Sequence, residues 1–373
     1  MPDAKKSDGP IQEIAAFGLT GRDEERIEIS ESEWSVLKSR LAPGRLTGLA
    51  LAAASSGALE LSEADRKELF ESHHSAMMWA LGLERELVSL VPALEVAGVE
   101  AIVLKGSAFA HSIYPDPSWR PFGDLDLIVR TRHWRRACSL LRDLGWIRRL
   151  PEPRTGFDER FGKAAVHRNQ IGMELDLHRT LVLGPFGLWM SPEDLFEQTV
   201  EFSLGGANLL RLNDSAQLLH ACAHAALGVS SPMLIALRDV AQIVRRPGID
   251  WMAIRQWTER WRLGAVLAYA FERVAEAFHI DLPKEAQAFM RGTYRRAELN
   301  ALAAYTTPNL RSRGSTAIST IRAIHGLRNK AAYVTGLLIP EEEFLRARQG
   351  NGASYLRRWK VPVRWFVRKK GRP

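Results

Sequence analysis

The sequence predicts an α+β architecture: a compact unit of strands and short helices near residues 98–212, with helical regions on either side. Three observations carry this expectation. Leu69, Phe70, Met77, Leu87, Leu90, Val91 and Leu94 recur at helical spacing and stop at Gly98. From Gly98 onward, short apolar runs bounded by turn residues replace that period. From Asp214 to about Thr335 the helical pattern returns, almost unbroken.

Residues 1–28 are polar and lack periodicity, which reads as a mobile lead-in. The N-terminal helical region, 29–97, begins with two short helices between Ser30 and Leu61. Ser62 and Asp65 then form a capping-box-like start for the long helix, and Pro92 is expected to kink or divide it. Glu100–Leu104 is a buried strand, and Lys105-Gly106-Ser107 turns into a short helix ending at Ile113. A loop, Tyr114–Gly123, leads to a second strand, Asp124–Val129. Thr131 caps a helix that runs to Gly145. Ala164–Arg168 and Ile171–His178 flank Asn169-Gln170 as a hairpin, and a further hairpin turns at Gly205-Gly206. A C-terminal helical domain, 213–340, follows, with breaks near Ser230–Pro232, Pro247-Gly248, Asp281–Pro283 and Pro308. A basic, aromatic tail, 341–373, ends the chain. No internal repeat is visible.

Composition bounds the function classes. The 373 residues are 46% apolar and 25% charged, which excludes wholesale disorder and collagen-like chains. Cys138 and Cys222 are the only cysteines, so a disulfide framework is excluded and a reduced, cytoplasmic setting is expected. The N-terminus shows no secretory signal, and the stretch around Leu46–Leu61 is too short and weak to span a bilayer. The net charge is +8, but the residues after Glu343 include ten Lys/Arg and no carboxylate. The pI therefore describes the tail more than the fold. With Tyr355, Trp359, Trp365 and Phe366 interleaved, that tail suits an anionic partner or membrane surface, or is a solvated extension.

The chemistry-bearing pattern lies in the middle unit. Asp124 and Asp126 stand two apart on a strand, so both carboxylates share a face. Their repulsion in an apolar strand is relieved by a divalent cation, Mg²⁺ or Mn²⁺; the alternative is a solvated strand end. Glu174, Asp176 and His178 alternate on another strand, and either carboxylate could complete a two-metal site for in-line displacement at phosphorus. His178 itself reads as a structural strand-end residue. Upstream, Gly106 permits close backbone approach to a phosphate at the start of a helix, with the Ser107 hydroxyl and Lys105 charge beside it. Arg120 either pairs with the aspartates or binds triphosphate. His220 and His224, four apart on a helix, read as packing or substrate-side hydrogen-bonding groups rather than zinc ligands.

The order Gly-Ser turn, DxD strand, later carboxylate strand resembles the nucleotidyltransferase superfamily of the DNA polymerase beta-like type. More narrowly, Leu104, Lys105, Gly106, Tyr114, Arg120, Pro121, Gly123, Asp124, Asp126 and Leu127 resemble the signature of a bacterial family of uncharacterised nucleotidyltransferases. Glu174, Asp176, Leu177 and His178 match that family's later strand. The resemblance covers about residues 35–285. It implies a nucleotidyltransferase-fold mixed sheet and transfer of a nucleoside monophosphate from an NTP to an acceptor. In that scheme Asp124, Asp126 and Asp176 (or Glu174) are catalytic and hold metal, and Lys105, Gly106, Ser107 and Arg120 bind the nucleotide. It names no acceptor. Competing readings are a non-catalytic nucleotide-sensing or partner-binding module on the same fold, and nucleic-acid binding through the tail.

Overall fold

Four helices precede the first strand in the computed structural model, which describes residues 9–19, 26–228, 233–308, 310 and 312–349. They are α1 (Gly9–Ala16), α2 (Glu31–Leu41), α3 (Thr47–Ser56) and α4 (Glu63–Val96). α1 departs from the expected lead-in. Ile11, Ile14 and Ala15 form a small apolar stripe that the core buries, too short a pattern to register as periodic. Residues 1–8 and 20–25 lie outside the described residues. Ser30 and Glu33 cap α2 reciprocally, and Ser62 accepts the Asp65 amide at the start of α4. Pro92 lies inside α4 without dividing it. It removes one N–H near the helix end, and burial of Leu87, Leu90, Val91 and Leu94 offsets that loss.

The middle unit contains β1 (Ala101–Val103), α5 (Ser107–Ile113), β2 (Asp124–Val129), α6 (Trp134–Asp143), β3 (Ile147–Arg148), α7 (Phe157–Phe161), β4 (Ala164–Arg168), β5 (Glu174–His178), α8 (Pro185–Trp189), α9 (Pro192–Leu195), β6 (Thr199–Leu204) and β7 (Ala207–Leu212). The sequence did not predict β3 or α7 to α9, which are only two to five residues long. The strands form one mixed seven-stranded sheet in the order β3-β4-β5-β2-β1-β7-β6. β2 pairs parallel with β5, β1 parallel with β7, and the other neighbours are antiparallel. Gly205 and Gly206 both have positive φ, +55° and +83°, which a tight two-residue hairpin turn needs.

Alternation along the central strands sorts their side chains into two layers. Leu125, Leu127, Val129, Leu175 and Leu177 pack with Leu83, Leu87 and Leu94 of α4 and with Ala137 and Leu141 of α6. Ile102, Leu104 and Ile128 face the other way, into a larger core with Phe109 of α5. Asp124 and Asp126 lie on this second face.

That larger core is built mainly by the C-terminal helices: α10 (Asp214–Leu227), α11 (Leu234–Val244), α12 (Trp251–Trp261), α13 (Gly264–Phe278), α14 (Lys284–Met290) and α15 (Arg296–Thr306). α16 (Arg313–Ala323) and α17 (Leu327–Leu338) meet α7 in a small cluster around Phe161, Ile324 and Tyr333. The breaks at Pro247-Gly248, Asp281–Pro283 and Pro308 fall between helices as expected; Ser230–Pro232 lies outside the described residues. α18 (Glu342–Gln349) takes up the first part of the expected tail, and its Phe344 and Leu345 are buried. Tyr355, Trp359, Trp365 and Phe366 lie outside the described residues. Among the described residues no helix is long and apolar enough to cross a membrane.

Candidate active site

The β2–β5 register places Asp124 opposite Glu174 and Asp126 opposite Asp176. Paired residues of parallel strands point to the same side, so all four carboxylates and His178 share the face turned toward the C-terminal helices. The sequence pattern indicated two carboxylate-bearing strands. Their pairing in this register brings the groups together.

Asp126 lies deepest, 4% exposed. The Lys105 ammonium bonds one of its oxygens, and His178 Nε2 lies 2.8 Å from the other. Burial alone would raise this carboxyl, but the Lys105 charge and the His178 bond outweigh it and hold it well below the usual carboxylate range. Asp176 moves the other way. Burial and the neighbouring Asp126 charge raise it, so one carboxyl of the pair is a strong anion and the other a better base.

Asp124 sits at the open end of β2 and pairs with Arg45 at 3.1 Å, with Lys105 at 3.9 Å. Arg45 comes from the turn between α2 and α3, and no sequence signal marked it. Glu174, at the start of β5, is held by Arg149 and Arg168, at 2.8 and 2.7 Å. Lys163, just before β4, is a further cation in the field of the cluster. Burial and then Lys105 lower its ammonium, while Asp126, Asp176 and Asp124 oppose the shift.

The glycine turn has a backbone conformation that favours glycine. Gly106 adopts φ +54° and ψ −115°, which side chains rarely tolerate, although a Cβ there would meet only ordinary contacts, with the Phe122 ring and the Asp124 carbonyl. Ser107 is buried and donates to Glu84 of α4 at 3.4 Å, and the His111 ring reaches the same carboxylate at 2.7 Å. Arg120 has a different partner from either expected one. It is 2% exposed and forks onto Asp239 of α11 through bonds of 2.8 and 2.7 Å, and the Tyr114 hydroxyl donates to the same carboxylate. This couples the Pro-rich loop to the C-terminal helices. The partner is 119 residues away in sequence, so no local pattern could indicate it.

His220 and His224 are driven well below the ordinary imidazole range, first by burial and next by the Lys105 charge. Both are therefore neutral groups behind the cluster. Ligand atoms of Asp126, Asp176 and His178 lie within 4.8 Å of one another, a donor set that fits a divalent cation.

No curated protein matches the sequence. An antigenic nucleotidyltransferase-like protein from Paracoccidioides brasiliensis is a similar solved structure, with 14% identity and a TM-score of 0.35 over 55% of this chain and 95% of that one. The model of the uncharacterised nucleotidyltransferases matches residues 30–279, from α2 through α13 and across every strand of the sheet. The chain therefore belongs to the family of uncharacterised nucleotidyltransferases.

Proposed function

We propose that the protein transfers a nucleoside monophosphate from an NTP to an acceptor hydroxyl or comparable nucleophile and releases pyrophosphate. The observation that carries this reading is the register of β2 against β5. It sets Asp126 beside Asp176 at the end of a buried sheet face, with Asp124 one step toward solvent. In the reaction a bond forms between the acceptor oxygen and the α-phosphorus, and the bond from that phosphorus to the bridging oxygen breaks.

Asp126, Asp176 and His178 would hold a divalent cation, Mg²⁺ or Mn²⁺, with Asp124 within reach of a second. Such an ion supplies charge neutralisation at the phosphoryl oxygens. Asp176, raised by its surroundings, is suited to take the acceptor proton on a carboxylate oxygen. Asp126, held ionised, is suited to remain an anion throughout. Lys105, Lys163 and Arg45 are the cations available to the triphosphate and the departing pyrophosphate. Gly106 and Ser107 remain the proposed phosphate turn, and Arg120 braces the loop beside it. Glu174, held by two arginines, is the less suited of the two third-carboxylate candidates.

A non-catalytic nucleotide-sensing module is the second reading. Lys105 favours it, because its ammonium already neutralises Asp126 without any added cation. One experiment separates the two: each α-³²P NTP with Mg²⁺ or Mn²⁺ and pools of protein, small-molecule and RNA acceptors. Label transfer that falls by about 10²-fold or more in Asp126→Asn and Asp124→Ala supports catalysis. NTP binding without label transfer under any of these conditions supports sensing instead.

A further inference from the structure

The C-terminal helices enclose a cavity of about 420 Å³ that shares no residue with the candidate active site. Its walls come from α12, the first residue of α13, the end of α14, the turn 292–295 and α15. The part made by α14 and α15 lies beyond residues 30–279, so membership of the family does not account for it. A volume of this size holds one small organic molecule. The turn is fixed in place: the Tyr294 hydroxyl donates to the Phe289 carbonyl, and the Tyr294 ring occupies the space that a Cβ on Gly264 would need.

The charged residues of the lining are Arg255, Arg262 and Arg295 against Glu259 and Glu298. Among the described residues, none of the three arginine side chains has an ion pair or a hydrogen-bond acceptor. Two of them are nonetheless held in position. The Arg255 guanidinium lies over the Phe289 ring, 5.9 Å from its centroid, and that of Arg262 over Trp189 at 4.9 Å. An aromatic contact of this kind takes the flat face of a guanidinium and leaves its in-plane N–H donors free.

Glu298 lies deeper, 5% exposed. One of its oxygens accepts the Ala265 amide at 2.5 Å. The other has no donor among the described residues and is not sealed by packing, so it opens on the cavity. Burial raises this carboxyl, while the Ala265 amide and then the Arg295 and Arg262 charges oppose the shift, which places both arginines in its field. The cavity thus combines free guanidinium donors with one buried, half-used acceptor.

That combination selects a chemistry. A carboxylate takes one guanidinium fork, whereas a phosphomonoester presents three peripheral oxygens and about two negative charges, which three arginines match. The free Glu298 oxygen calls for a donor on the same molecule, and a hydroxyl supplies it without adding a charge. We propose that this cavity is a binding site for a small hydroxylated phosphomonoester of sugar phosphate size, with its phosphate on Arg255, Arg262 and Arg295 and a hydroxyl on Glu298. The assignment does not depend on the nucleotidyl-transfer reading.

The test is isothermal titration calorimetry of the full chain with ribose 5-phosphate, inorganic phosphate and ribose. Ribose 5-phosphate should bind about tenfold or more tightly than inorganic phosphate, and ribose more weakly than either. Arg255→Gln and Arg295→Gln change exposed side chains and should each weaken both phosphates about tenfold, with NTP affinity unchanged. Glu298→Gln keeps an acceptor for the Ala265 amide and should weaken ribose 5-phosphate about fivefold or more without weakening inorganic phosphate. No binding of ribose 5-phosphate at about 1 mM, or affinity that survives both arginine variants, overturns the site. Inorganic phosphate that binds as tightly as ribose 5-phosphate, or a Glu298→Gln protein with native affinity for both, overturns the hydroxyl contact and with it the ligand class. The arginine variants decide the question even where Glu298→Gln does not fold.

Discussion

Removing the Asp239 carboxylate tests whether Arg120 is a brace or a triphosphate contact. Arg120 and Asp239 are 2% and 1% exposed, and Asp239 accepts two bonds from the guanidinium and one from the Tyr114 hydroxyl, all at 2.7 to 2.8 Å. Asp239→Ala leaves a guanidinium buried without its counter-charge, a loss of about 3–5 kcal/mol. It also strips the partner from a buried hydroxyl, adding about 1 kcal/mol. The total, about 4–6 kcal/mol, is a large part of the stability of an ordinary domain. Asp239→Asn keeps one acceptor oxygen and should lose less. Arg120→Met combined with Asp239→Leu should cost less than the two single changes added, because no charge is stranded. The assay is urea unfolding followed by tryptophan fluorescence and circular dichroism, with NTP affinity measured in parallel. Loss of stability in Asp239→Ala, with NTP affinity unchanged in a folded Arg120→Lys protein, fits the brace. A stable Asp239→Ala protein, together with an Arg120→Lys protein whose only defect is weakened NTP binding, would refute the reasoning.

Three further outcomes are expected. Asp176→Asn should reduce label transfer by about 10²-fold while Glu174→Gln stays within a few-fold of wild type, since Glu174 is engaged by Arg149 and Arg168; the reverse order would make Glu174 the third carboxylate. Burial holds His73, His167, His220 and His224 below the usual imidazole range, His167 at about 4. Below about pH 6.5 the unfolded chain takes up protons that the folded chain refuses, so their stabilising effect is complete above that pH and lost as the pH falls. Each contributes a loss of about 1.4 kcal/mol per pH unit until its folded value is reached, and a Tm that stays constant from pH 7.5 to 5 would contradict this. Deleting residues 350–373 retains buried Phe344 and Leu345 and removes most of the basic tail. NTP turnover should persist while binding to anionic vesicles falls, and loss of turnover in a folded truncated protein would assign the tail to the active site.

The pairs of alternating carboxylates, the glycine turn and the helical periods were legible because each is local. Strand alternation alone puts Asp124 with Asp126 and Asp176 with His178, and Gly106 stands where a left-handed backbone is required. The signature from Leu104 to His178 is equally local, so it indicated the family without any long-range contact. What the sequence left open was each group's partner. Glu174 and Asp176 share a face in the alternation, and the parallel register together with Arg149 and Arg168 gives them different partners. Arg120 reads as a partner of the DLD aspartates or a triphosphate ligand until α11 brings Asp239 to it. Arg45 carries no motif at all and reaches Asp124 across 79 residues. His178 reads as a structural residue until its ring is seen between the Thr180 carbonyl and Asp126. Local sequence fixes backbone geometry and which face a side chain takes. Charge pairing and pKa depend on distances of a few ångströms between segments far apart in the chain, and only tertiary packing sets those distances: the strand register, the α2–α3 turn against β2, and the C-terminal helices against the sheet.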